Sequence, residues 1–175
     1  AGGTVTTGNQ NIAIGLDSMN GGATTGDNNI AIGVSAGDAL TSGINNILMG
    51  TDAGGAITTG VNNVAIGKDA GLSINSGEAN SIIGKSSGDA LTTGILNTAL
   101  GYFALSTSTN VDKVVAIGAG AMESGDATAA ADGTVAVGSN ALLAVTSGIG
   151  NTAVGFETLK AEDDGDHNTA IGYQA

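Results

Sequence analysis

The sequence predicts an all-β fold, a parallel β-solenoid or β-roll of about ten 17-residue coils, and three observations predict it. The first is repetition. The glycine that closes each Ala-Ile-Gly-like triplet falls at Gly15, Gly33, Gly50, Gly67, Gly84, Gly101, Gly118, Gly138, Gly155 and Gly172. Most of these spacings are 17 residues, with one of 18 and one of 20. Self-similarity at a fixed period is the signature of stacked repeat architectures. The second observation is alternation with period two just before each marker glycine, as in Ile12/Ile14, Ile30/Ile32, Ile47/Met49, Val64/Ile66 and Val115/Ile117. β-Branched residues at that period form a short strand. The third is composition: 31 glycines, no proline and no cysteine in 175 residues, with Tyr102, Phe103, Phe156 and Tyr173 the only aromatics. Ordinary domains carry about 7% glycine. Four aromatics at about 150–250 Å² of buried surface each cannot organise a conventional core of this length, whereas a narrow coil needs small residues.

The elements follow from the unit. The alternating residues one and three before the marker are expected on a buried strand face. The small residue between them (Ala13, Ala31, Ala65, Ala99, Ala116, Ala136, Ala153 or Ala170, enlarged to Leu48 and Ile82) is expected on an opposite face that is closely covered as well. Ser81, Thr98, Thr152 and Thr169 relax the first strand position. The marker glycine itself calls for positive φ or an approach too close for a Cβ. A second glycine seven residues earlier (Gly8, Gly26, Gly43, Gly60, Gly77, Gly94, Gly148, Gly165) makes each strand a segment between two turns. Asn11, Asn29, Asn46, Asn63, Asn80, Asn97, Asn151 and Asn168 recur four residues before the marker and predict a stacked amide ladder.

After the marker, a large apolar residue stands four residues on (Met19, Leu105, Met122, Leu159) or seven residues on (Leu40, Ile57, Ile74, Leu91). The copies of the second kind carry Gly37, Gly54, Gly71 and Gly88 at the first place, and only Leu142 with Val145 fills both. The two positions are therefore expected to share one volume. Such a unit cannot bury its own faces, so the coils must stack. At about 4.8 Å per coil the array is a rod of roughly 50 Å. Residues 1–175 read as a single repeat array, a piece of a longer chain, with irregular copies and a three-residue insertion over 102–134.

Charge narrows the function. Four lysines, no arginine and 16 acidic residues give a net charge of −12. Such a surface repels phosphate backbones and anionic lipid headgroups, which argues against nucleic-acid binding. No apolar run approaches the about 20 residues of a membrane span, so no membrane insertion is expected.

The block Asn62-Asn63-Val64-Ala65-Ile66-Gly67-Lys68-Asp69-Ala70, with its siblings over 28–36 and 168–175, resembles two related groups. One is the head repeat of trimeric autotransporter adhesins. The other is the longer Ala-Ile-Gly array of phage tail fibres and similar virion appendages. The period of 17 and the endings Asn97-Thr98-Ala99-Leu100-Gly101-Tyr102 and Asn168-Thr169-Ala170-Ile171-Gly172-Tyr173-Gln174-Ala175 are more similar to the second. The resemblance covers nearly the whole chain and implies an intertwined homotrimer with left-handed coils. The chain departs from the pattern where Val111 and Ala131 replace the leading glycine and Val114 and Thr134 the asparagine.

Candidate chemistry is sparse. Nucleophilic catalysis needs a nucleophile beside a base, and His167 is the single histidine. Its run Glu162-Asp163-Asp164-Gly165-Asp166-His167 could be imagined as a cation site, but reads better as a solvated turn. Asp17, Asp52 and Asp69, two residues after the marker, form a column that is expected to be solvated. Gly21-Gly22 and Gly54-Gly55 lack the following Gly-Lys-Ser/Thr of a phosphate loop. No catalytic residue, metal or cofactor is assigned, and the chain is expected not to be an enzyme. The pairs Thr6-Thr7, Thr24-Thr25, Thr41-Ser42, Thr58-Thr59, Thr92-Thr93 and Thr146-Ser147 would line up as on an ice-binding solenoid. Asn75-Ser76, Ala129-Ala130 and Asp163-Asp164 interrupt that ladder. Tyr102, Phe156 and Tyr173 follow the marker, where Lys68 and Lys85 also occur, so this column is expected to be exposed. They are the candidate surface contacts, and the inserted stretch Glu123-Ser124-Gly125-Asp126 is a candidate bulge.

The expected function is a structural segment of a phage tail fibre or similar extracellular virion appendage, supporting attachment to a host glycan or protein. The head of a bacterial trimeric adhesin, on a bacterial cell surface, is the alternative, and flanking sequence separates the two. An ice-binding solenoid is the second alternative, which thermal hysteresis would test.

Overall fold

The structure, a computed structural model, describes all residues except Thr4 and 125–130. It is all-β. Among the described residues, ten three-residue strands, one per copy of the repeat, run as β1 Ile12–Ile14, β2 Ile30–Ile32, β3 Ile47–Met49, β4 Val64–Ile66 and β5 Ser81–Ile83. They continue as β6 Thr98–Leu100, β7 Val115–Ile117, β8 Val135–Val137, β9 Thr152–Val154 and β10 Thr169–Ile171. They form one parallel sheet in sequence order from β1 to β10. The chain is thus a solenoid of about nine turns, each turn running from one strand to the next. Equivalent residues pair throughout, as Ile47 with Val64 and Leu48 with Ala65. The insertion does not disturb this register, since Val115, Ala116 and Ile117 pair with Val135, Ala136 and Val137.

The close cover expected over the central strand residue holds, whereas the flanking residues, expected to be buried, lie outward. The central residue points inward: Ala31, Leu48, Ala65, Ile82, Ala99, Ala116, Ala136 and Ala153 are fully buried. The flanking β-branched residues point outward and are half-buried or exposed, with Ile14 at 58%, Leu100 at 45% and Ile171 at 72%. The reason is width. A 17-residue coil has room inside for one column of small residues facing one column of plugs, and two columns of isoleucine would overfill it. Alternation identifies two faces, but not which of them is interior.

The plugs come from the wall opposite the strands. Met19, Leu40, Ile57, Ile74, Leu91, Leu105, Met122, Leu142 and Val145 are all fully buried. A methyl group added at Gly71 would lie 2.8 Å from Ile74 Cδ1, and one at Gly54 would lie 2.9 Å from Ile57 Cδ1. The fourth and seventh positions therefore compete for the same space.

Backbone shape explains the polar positions. Each coil turns through left-handed residues five before the marker (Asn28, Asn45, Asn62) and two after it (Asp17, Asp52, Asp69), with φ of 54–60°. Asn and Asp tolerate that region better than other non-glycine residues.

Candidate functional site

The marker glycines stack as one column with φ of 126–147°. At Gly67, with φ 134°, a methyl would also lie 2.5 Å from the carbonyl oxygen of Gly84. Both physical demands hold at the same residue. The second glycine column differs. Gly60 has no positive φ, yet a methyl there would lie 2.7 Å from the Gly77 oxygen. Close approach alone disfavours a side chain there, and the irregular copies still admit Val111 and Ala131, both fully buried.

Beside it runs the asparagine ladder. Asn46 Nδ2 donates to Asn29 Oδ1 at 3.0 Å, Asn63 Nδ2 to Asn46 Oδ1 at 3.2 Å, and Asn80 Nδ2 to Asn63 Oδ1 at 3.0 Å. The second amide proton reaches the next glycine of the second column, as from Asn63 to the Gly77 oxygen at 2.8 Å. Asn29, Asn46, Asn63 and Asn80 are fully buried. At the irregular copies the chain changes partners: Val114 N–H donates to Asn97 Oδ1, and Thr134 Oγ1 donates to the Gly148 oxygen. Among the described residues, the Ser108 hydroxyl is buried without a partner.

The acidic residues serve the backbone. Asp27, Asp112, Asp132 and Asp166 each accept a main-chain N–H from the preceding coil, as Asp112 Oδ1 does from Ile95 at 2.8 Å. In the run 162–167, Glu162 accepts the Gly165 N–H at 2.7 Å, Asp163 accepts the Thr146 hydroxyl, and His167 N–H donates to the Ile149 oxygen. These carboxylates organise turns. Among the described residues no group of three or more His, Cys, Asp or Glu could hold a metal ion. No helix among them is long and apolar enough to cross a membrane.

Burial raises the pKa of Asp38 above the ordinary carboxylate range, against the Ala39 N–H that lowers it, and repulsion from Asp52 and Asp17 adds to the rise. Asp89 is raised in the same way, by burial first, with repulsion from Asp69 adding to it. Glu157 is lowered by its hydrogen bond to Lys160. The threonine column is occupied in part by the stack itself: Thr41 Oγ1 donates to the Thr58 oxygen at 2.9 Å, and Thr92 Oγ1 to the Thr109 oxygen at 2.8 Å. Ala129 and Ala130 lie outside the described residues, as do Gly125 and Asp126 of the inserted stretch.

The column after the marker is largely exposed, with Tyr102, Phe156 and Tyr173 at 52%, 40% and 74%. The structure brings two of the three together. Phe156 and Tyr173 stack at 5.2 Å between centroids, while Tyr102 packs edge-on against Phe103 at 4.3 Å, three coils away from Phe156. No family model matches the chain, and comparison with curated proteins and with solved structures returns no match either. Function has to be read from geometry.

One aromatic escaped the sequence reading. Phe103 sits two residues after the marker, where other copies carry Asp17, Asp52 and Asp69, and it lines an open groove of about 840 Å³ with Asp89 and Glu123. The available signal was a phenyl ring in a column of small polar residues.

Proposed function

We propose that this chain is a structural segment of a trimeric fibre, a phage tail fibre or similar virion appendage, that supports attachment to a host surface. The observation that carries the reading is the outward face of the sheet. Ile14, Ile32, Met49, Ile66, Ile83, Leu100, Ile117, Val137, Val154 and Ile171 form one apolar column along the whole rod. Ile12, Ile30, Ile47 and Val64 begin a second, which Ser81, Thr98, Thr152 and Thr169 interrupt, and Leu16 and Val34 widen the stripe at its start. Soluble monomers rarely expose contiguous apolar patches beyond a few hundred Å². At about 4.8 Å per strand and about 3.3 Å per residue, the stripe measures roughly 45 by 10 Å. That is roughly half of the about 800 Å² that each partner contributes to a stable interface, and the residues flanking the strands would supply the rest.

Identical chains around a common axis would bury this stripe by cyclic symmetry. The number three and the left-handed coil come from the sequence resemblance to virion fibre repeats, which the 17-residue period supports. In such an assembly the rod is stiff because every coil is held twice, by its neighbours in the stack and by the other chains.

Light scattering on the purified chain tests the reading. The expected mass is three times 16.6 kDa, and a folded monomer would overturn it. Ile66→Lys with Ile83→Lys should dissociate the assembly while leaving the coils folded. A double variant that stays trimeric would show that the sheet is not the seam.

A further inference from the structure

The wall opposite the sheet carries its own surface feature. A methyl at Gly54 would lie 2.6 Å from Leu48 Cδ2, and one at Gly88 would lie 3.2 Å from Ile82 Cδ1. The fourth position after the marker therefore lies across the interior from the strands. Residues five and six after the marker lie between the two inward-facing positions of that wall, and Leu72, Thr107 and Ser124 are exposed there. There the groove of about 840 Å³ runs over four consecutive coils, lined by Leu72, Asp89, Phe103, Ser106, Thr109 and Glu123. At about 4.8 Å per coil it spans roughly 14 Å between its outer coils, which suits a chain of sugar rings rather than one ring.

Its lining has a consistent chemistry. Phe103 is half-buried with φ 55°, a backbone state that costs roughly 1–2 kcal/mol for a residue of this kind. The same left-handed state recurs two residues after the marker in other copies, as at Asp17, Asp69 and Asn140, so the coil imposes it. The ring lies partly at the surface against Tyr102, with Lys85 Nζ 5.8 Å from its centroid. The phenyl face offers a platform for the C–H face of a pyranose. The carboxylates of Asp89 and Glu123 are acceptors for sugar hydroxyls, and charge-assisted bonds of this type are the stronger ones. The charged residues lining the groove, Asp89 and Glu123, are acidic; Lys85 stands nearby over the Phe103 ring, and the chain's charge of −12 repels anionic sugars.

We propose that this groove binds a neutral oligosaccharide, with Phe103 as the stacking platform and Asp89 and Glu123 as hydroxyl acceptors. The inference specifies a ligand class for the attachment reading above and rests on it. If the apolar stripe is the seam between chains, the groove stays open on the outside of the fibre.

Fluorescence polarisation with labelled maltohexaose, cellohexaose and chitohexaose tests it on the intact chain. Saturable binding of at least one is expected, weakened about tenfold or more in Phe103→Asn and in Asp89→Asn, a loss of about 1.4 kcal/mol or more. Phe103→Asn suits the left-handed backbone that Asn140 adopts in another copy, and circular dichroism checks its fold. Thr51→Ala, at an exposed position outside the groove, should bind as the parent does. Absence of binding to all three sugars would overturn the proposal, as would binding unchanged in both groove variants or equal binding of polysialic acid. A chain that is monomeric by light scattering yet binds through Phe103 would sink the fibre reading and leave the groove standing. A trimer that binds none of the sugars would do the reverse.

Discussion

Asn46 gives one amide proton to Asn29 Oδ1 at 3.0 Å and the other to the Gly60 oxygen at 2.9 Å. Its own Oδ1 accepts both the main-chain and the side-chain N–H of Asn63. Every polar atom of this buried side chain is therefore paired, and each coil is tied to the one before and the one after. Such a ladder is favourable only when complete, because an orphaned buried group costs the full desolvation penalty.

Asn63→Ala should therefore be more damaging than a lost hydrogen bond suggests. It strands the Gly77 oxygen and the Asn80 N–H, and it removes one of the two donors from Asn46 Oδ1, which keeps the main-chain N–H of residue 63. A loss of about 2–4 kcal/mol is expected from denaturant unfolding. Asn11→Ala, at the half-buried start of the ladder, should cost less. Equal losses at both positions would show that the ladder does not bind the coils cooperatively.

Gly67→Ala meets two obstacles, a φ of 134° and the Gly84 oxygen 2.5 Å from the new carbon. Gly60→Ala meets only the second, at 2.7 Å from Gly77. The first should cost more than about 4 kcal/mol, a range reserved for severe backbone and packing faults. Hydrogen exchange should show the damage centred on the coils of β4 and β5. An unchanged melting profile for Gly67→Ala would remove positive φ as the reason for the marker.

The repeat, the parallel register and the asparagine ladder were legible because each depends on spacing alone. Residues 17 apart, as Asn46 and Asn63, must meet if the coils stack in register. The direction of the strand faces was not legible, because the alternation in β4 is symmetrical: Val64 and Ile66 on one side and Ala65 on the other are compatible with either interior. What decides is the width of the coil, set by where the plugs Ile57 and Ile74 arrive from the opposite wall. Phe103 was hidden for another reason. Its groove is assembled from Leu72, Asp89 and Glu123 of different copies, and no single copy contains it.

Leu96 has φ 60° and is 53% exposed, in the column that carries Asn28, Asn45 and Asn62 elsewhere. It takes the cost of a left-handed conformation with little burial in return. Leu96→Asn should stabilise the chain by about 1 kcal/mol, read as a higher denaturation midpoint. Leu96→Ile, which adds β-branching in the same conformation, should destabilise it. Stabilisation by both variants would point to surface hydrophobicity rather than backbone strain.

Ser108 stands seven residues after Gly101, in a copy where Leu105 already fills the interior, and its buried hydroxyl has no partner. Ser108→Ala should raise stability by about 1 kcal/mol by removing an unpaired polar group. A loss of similar size in thermal unfolding would mean that the hydroxyl is satisfied in solution.

Asp38 gives the chain an unusual pH response. Burial, and after it repulsion from Asp52 and Asp17, raise its pKa above the ordinary value of 3.8 despite the Ala39 N–H. The folded chain then holds this proton more tightly than the unfolded chain does. Its contribution to stability is greatest below 3.8 and is lost as pH rises through the raised folded value. Asp38→Asn keeps an acceptor for the Ala39 N–H and removes the charge. The variant should melt higher than the parent at about pH 7 and alike at about pH 3, where the parent's carboxyl is protonated in both states. A gain of the same size at both pH values would show that the aspartate's shape, and not its buried charge, is what the fold opposes.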